Sequence, residues 1–158
     1  MKDQKLDNFD DIRDAVRSLC AGFPGKYWRG KDRKKVYPNE FVEALTESGF
    51  LAVLIPEAFG GSELGISEAT AILEEIHKSG CNGAACHAQM YVMGTLLRHG
   101  SEEQKMRYLP RIASGELRLQ AFGVTEPAAG SDTGSIRTRA VRDGDTWRVN
   151  GQKLSLIH

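Results

Sequence analysis

With 158 residues, 41% of them hydrophobic, the chain is long enough to bury one proper core and to begin a second. Lys and Arg together number 21, as do Asp and Glu, so the formal charge is zero. That removes any bulk electrostatic case for nucleic acid or an anionic membrane, and no stretch approaches the length of a membrane span.

The opening MKDQKLDNFDDIRDAVRSLC is charged and amphipathic without an apolar signal core, which points to the cytoplasm. Ile12, Val16 and Leu19 recur at spacings of four and three and predict a helix over 10–20. Residues 21–40, rich in Gly, Pro and basic side chains, read as a loop. Pro38 and Asn39 then start a helix that turns Phe41 and Leu45 inward and closes at Gly49. FLAVLIPEAFGGSELG is a short buried apolar run followed by a turn-rich loop. Ser67 is expected to cap a helix carrying Ala69, Ile72, Leu73 and Ile76 and ended by Gly80. The next helix spans 84–99, with Met90, Met93, Leu96 and Leu97 inward and Gly100 as its stop. SEEQ at 101–104 has capping-box form and starts a further helix with Met106 and Leu109 inward, which Pro110 should end or kink.

From Leu117 the period changes from helical to alternating. Leu117, Leu119 and Ala121 alternate with Arg118 and Gln120, and Ile136, Thr138 and Ala140 alternate with Arg137 and Arg139, so two strands with one buried face are predicted. Asp143–Asp145 turns the second into TWRVNGQK, an antiparallel hairpin. The expected organisation is α+β: an all-α helical domain over 1–116, then the opening of a β domain over 117–153. Neither internal repeats nor low-complexity tracts interrupt it.

AFGVTEPAAGSD, residues 121–132, stands between those strands. Gly130 and the Ala128-Ala129 pair leave little side chain above the backbone, and Pro127 fixes its path, so a flat or phosphate-bearing ligand can approach closely. Thr125 and Ser131 add neutral hydroxyls, and loop N–H groups in such a turn form an anion-binding concavity. Glu126 and Asp132 would repel phosphate, so they should turn away into caps or ion pairs. Neither a Walker A nor a Rossmann glycine pattern is present. On chemistry alone, a tight structural connection and a ligand loop both stay open.

VTEPAAGSD resembles the signature of the acyl-CoA dehydrogenase family, flavoproteins that introduce an α,β double bond into acyl-CoA thioesters. LIPEAFGG at 54–61, HGSEEQKMRYLPRIASGE at 99–116 and IRTRAVRDGDTWRVNGQK at 136–153 resemble that family in the same order and spacing. The resemblance runs to Lys153. It implies the family's N-terminal helical domain followed by the start of its antiparallel, barrel-like middle β domain, without the C-terminal four-helix domain. It further implies that Phe122, Gly123, Val124 and Thr125 run beside the flavin ring of FAD. Gly130 and Ser131 would meet the pyrophosphate, and Ser131 also the thioester end of the acyl-CoA substrate. Electrons would pass to an electron-transfer flavoprotein, and the complete protein would be a homotetramer. The family's catalytic glutamate comes from the C-terminal domain, so no catalytic residue is assigned and the fragment alone is expected to be inactive; Glu126 reads as a structural acid.

The same architecture serves flavin-dependent oxidases and monooxygenases, which send electrons to oxygen, and a second alternative is half the fold standing alone as a non-catalytic acyl-CoA or protein-binding module. The segment CHAQMYVMGTLL corresponds to the acyl-pocket wall, where Met90 or Met93 would touch substrate, although core packing is the default for both. LSLIH at 154–158 departs from the family pattern: Ile157 stands where a flavin-bonding hydroxyl belongs. The pentapeptide is also the translation of a transposon-end adapter, so a non-native tail is expected. Three cysteines, Cys20, Cys81 and Cys86, suit a reducing compartment, and with His87 they match no strong zinc spacing, so no metal is expected. The run RGKDRKK reads as solvated surface, and His77 and His99 as cations near helix C-termini.

Overall fold

Apolar stripes on successive helices build the first of two units into which the computed structural model, described over residues 9–154, divides after Leu119. Helix α1 (Asp10–Ala21) buries Val16 and Cys20. Helix α3 (Asn39–Glu47) buries Phe41, Val42 and Leu45, and α4 (Ile66–Lys78) buries Ala69, Ile72 and Ile76. Together with Leu51, Cys86 and Met90 these side chains form one core. A second, smaller core joins Ile55 and Met93 to Leu109 and Ile112, linking α5 (Ala84–His99) to α6 (Glu102–Ala113).

The stretch expected as a loop over 21–40 contains a helix, α2 (Gly25–Lys34). Pro24 sits just before it, where a missing N–H costs nothing and the fixed φ favours helix entry. Tertiary packing then holds the weak sequence in place. The rings of Phe23, Tyr27, Trp28 and Phe41 meet edge to face at 4.9–5.2 Å, and Trp28 Nε1 donates to the Phe23 carbonyl at 2.9 Å. Lys31 of the basic run pairs with Glu40 at 2.6 Å.

Helix α4 begins one residue earlier than the proposed Ser67 cap. The Gly65 N–H donates to Glu68 Oε2 at 2.9 Å, which places Ser67 inside the first turn. Between α3 and α4 the chain forms short 3₁₀ turns at Phe50–Ala52 and Glu57–Phe59, with Leu51, Val53 and Ile55 buried. Gly61 is required there, since a Cβ would stand 2.0 Å from the Ile55 carbonyl oxygen.

The capping box of α6 is formed as expected: Gln104 N–H donates to Ser101 Oγ at 3.2 Å, and Ser101 N–H to Gln104 Oε1 at 2.9 Å. Of the other expectations for α6, Met106 does not turn inward and Pro110 does not end the helix. Met106 is 68% exposed while Leu109 is fully buried, and the helix runs through Pro110 to Ala113. Both follow from one face. Met106 and Pro110 lie one turn apart on the exposed side, where water can take the carbonyl that the missing Pro110 N–H leaves free.

The second unit, from Gln120, holds β1 (Arg139–Asp143) and β2 (Thr146–Asn150), paired antiparallel with Arg139 opposite Asn150 and Asp143 opposite Thr146. Gly144, at φ 62°, makes the expected turn. The strand expected over 117–125 does not form, because its backbone finds no ladder partner among the described residues. Strand β1 starts only at Arg139, after a 3₁₀ turn at Thr133–Ser135. Nor is one strand face buried: every residue of β1 and β2 is exposed. Alternation put Ala140, Trp147 and Val149 on a common face, but burial needs a second layer, and the unit has none among the described residues. The charged opening residues 1–8 and, beyond Leu154, the expected non-native tail lie outside the described residues.

Truncating Ile72 at the centre of the first core should cost about 2–5 kcal/mol in denaturant unfolding, whereas Met106→Ala should stay within about 0.5 kcal/mol.

Candidate functional site

The loop over 121–132 takes its shape from one carboxylate. Glu126, only 6% exposed, accepts from Arg137 N–H at 2.7 Å, from Thr138 N–H at 3.1 Å and from the Thr138 hydroxyl. Lys153 Nζ bonds it at 2.9 Å and also donates to the Val124 carbonyl at 3.0 Å. The Thr138 hydroxyl, the Arg137 amide and the Lys153 ammonium together hold its pKa down to about 2. Backbone bonds between Glu126 and Ala129, at 2.9 and 3.1 Å, close the turn and set Thr125 opposite Gly130. Asp132 folds back on its own segment, accepting from Gly134 N–H at 3.1 Å and from the Ser135 hydroxyl. Glu126 is therefore buried in an ion pair, and Asp132, although exposed, is engaged as the cap of the Thr133–Ser135 turn, the two fates expected of acids in a loop that meets an anion.

Phe122, Val124 and Thr125 are half-buried on one arm of this turn; Gly123 is exposed, and Gly130 and Ser131 are exposed on the other arm. The carbonyls of Val124 and Thr125 are engaged by Lys153 and by the Leu154 N–H at 2.8 Å. At Gly130 the backbone has no positive φ, and an added Cβ would meet nothing within 4 Å. Neither conformation nor internal packing demands glycine there, which suits a surface that a ligand approaches closely. The partners that fix the loop, Thr138 and Lys153, were not identified from the sequence. The signal was available: a carboxylate that must turn inward needs donors.

The first unit carries a groove of about 530 Å³ between α4 and α5. Leu54, Ile66, Ala69, Leu73 and Met90 give it an apolar lining. His87, Arg98 and His99 stand along it, and no acid contributes. The His87 and Tyr91 rings meet edge to face at 4.9 Å. Of the two methionines weighed for substrate contact, Met93 is core and Met90 reaches the groove. Arg98, Tyr91 and Gly94 were missed, although a glycine inside an apolar helix pattern is a recognisable signal.

Cys86 is wholly buried and burial pushes its thiol up to about 12, while the neighbouring His87 is exposed, so the two do not converge on a common point. Among the described residues no cluster of His, Cys, Asp and Glu is placed to hold a metal ion, and no helix is long and apolar enough to cross a membrane.

Residues 7–116 match the sequence profile of the acyl-CoA dehydrogenase N-terminal domain. The chain is 37% identical over 144 residues to acyl-CoA dehydrogenase FadE12 of Mycobacterium tuberculosis, covering 90% of this chain and 37% of that protein. A solved glutaryl-coenzyme A dehydrogenase in complex with glutaryl-CoA superposes with a TM-score of 0.80 at 30% identity, over 99% of this chain and 40% of the other. A glutaryl-CoA dehydrogenase of Mycobacterium smegmatis in complex with FADH2 gives 0.75 at 27% identity, over 95% and 39%. The chain thus spans well under half the length of the relatives it matches.

Because the Glu126 pKa is depressed on folding, its contribution to the loop should be complete above about 4.5 and disappear as pH falls towards about 2. The Arg137 and Thr138 amide resonances should report this transition by NMR, and Glu126→Gln should remove it.

Proposed function

Because the chain belongs to the acyl-CoA dehydrogenase family, we propose that it serves the α,β-dehydrogenation of an acyl-CoA thioester, with FAD as cofactor and an electron-transfer flavoprotein as electron acceptor. The observation that carries this reading is the engagement of both acids of the loop, Glu126 buried against its four donors and Asp132 capping the Thr133–Ser135 turn, beside the exposed backbone of Gly123 and Gly130 and the exposed Ser131. When bound, FAD supplies the acceptor for the substrate's β-hydrogen.

The chain's own residues bind and orient. Phe122, Gly123, Val124 and Thr125 would hold the polar edge of the flavin ring through their backbone and the Thr125 hydroxyl. Gly130 and Ser131 would admit the pyrophosphate, and Ser131 would also meet the thioester. The α4–α5 groove would take the acyl chain, excluding water from it, while His87, Arg98 and His99 favour a ligand that carries phosphates. Glu126 is not the base that removes the α-proton. Its oxygens already accept from four donors, and a pKa of about 2 makes it a poor proton acceptor. The complete protein is further proposed to be a homotetramer of the cytoplasm.

The test is anaerobic addition of acyl-CoA thioesters to the complete, flavin-loaded protein. Bleaching of the flavin absorbance, followed by faster reoxidation with an electron-transfer flavoprotein than with air, is expected. No bleaching by any thioester would refute the dehydrogenase reading, and rapid reaction with air would make the protein an oxidase. Gly130→Ala should leave stability within about 0.5 kcal/mol yet weaken FAD binding about tenfold or more, read by flavin fluorescence titration.

A further inference from the structure

Helix α5 carries a glycine at its middle that the rest of the chain does not require. Gly94 lies in regular helix without a positive φ, and a Cβ built on it meets nothing within 4 Å. Glycine is the poorest helix former apart from proline, so the position works against the stability of α5 without conformational or packing compensation. The open space lies over the α4–α5 groove, which Gly94 lines.

Along α5 the groove wall is built by Met90 and Tyr91, one turn before Gly94, and by Arg98, one turn after it. Ile66, Thr70 and Leu73 face them from α4. The missing Cβ therefore leaves room between larger side chains of the same helix face. A straight methylene chain fills a channel of constant width and gains nothing from such room. A methyl branch or the edge of a ring needs the extra width.

We propose that Gly94 is a specificity-determining residue, widening the α4–α5 groove so that a branched or cyclic acyl group can lie against the α5 backbone. The proposal rests on that groove being the acyl site. Gly30, in α2, also has open space where a Cβ would stand, but it lies beside Lys26, Lys31 and Lys34 rather than in an apolar groove. It supplies the control.

Calorimetric titration of the full chain compares butanoyl-CoA, isobutanoyl-CoA and cyclohexanecarbonyl-CoA on the wild type, Gly94→Ala and Gly30→Ala. Both variants should melt about 2–5 °C higher, because alanine favours helix. Gly94→Ala should bind butanoyl-CoA within about twofold of wild type and lose about 10–200-fold on the branched and cyclic thioesters, the range for one misplaced methyl group. Gly30→Ala should bind all three as wild type does. Equal weakening of all three thioesters by Gly94→Ala, or no weakening, overturns the role of Gly94 and leaves the acyl groove standing. A wild type that binds none of the three overturns the groove reading, and the proposal with it.

Discussion

The second unit is organised around a single buried carboxylate. Glu126 gathers two amides, a hydroxyl and an ammonium that otherwise have no reason to converge, and in doing so fixes a segment made largely of small residues. Such a segment has little side-chain packing to define it, and its hairpin neighbour is exposed on both faces. Electrostatics and hydrogen bonding therefore do here what a hydrophobic core does elsewhere. Gly151 belongs to the same arrangement, because a Cβ there would stand 2.1 Å from the Thr138 hydroxyl oxygen and push it off the carboxylate.

The first unit uses a buried acid differently. Glu75 on α4 is 4% exposed and is paired with Arg17 of α1 at 2.9 Å, while Arg13 reaches Glu74 at 2.6 Å. These contacts, with Ile72 and Ile76, anchor α4 against its neighbours and leave the Ile66–Thr70–Leu73 edge to line the groove. A wall discriminates between ligands only if it does not yield to them, and a helix held along its inner face meets that condition.

Features encoded within a few residues were legible in the sequence. The Ser101–Gln104 box, the span of α5 and the Gly144 hairpin turn each depend on contacts between near neighbours. Helix α2 was not legible, because Gly25 and Gly30 argue for a loop and the rings that overrule them include Phe41, well beyond the helix. Met106 fits an apolar stripe by spacing, but its exposure depends on which side of α6 meets α5. At the site, charge logic was enough to expect Glu126 in an ion pair and Asp132 in a cap. The identity of their donors was hidden, since Lys153 lies 27 residues from Glu126. The groove needs two helices at once, so no single stretch of sequence announces it.

The donors to Glu126 come from both ends of the hairpin: Arg137 and Thr138 just before β1, Lys153 just after β2. Strand pairing brings those ends side by side, and a hairpin with a two-residue turn closes locally, in about 1–10 μs. The carboxylate bonds at longer sequence separation can then form against a template that already exists, rather than each closing a loop of its own. Pairing of β1 with β2 is thus a condition for the carboxylate cluster, and the arm that carries Phe122–Thr125 owes its shape to the hairpin as much as to its own residues.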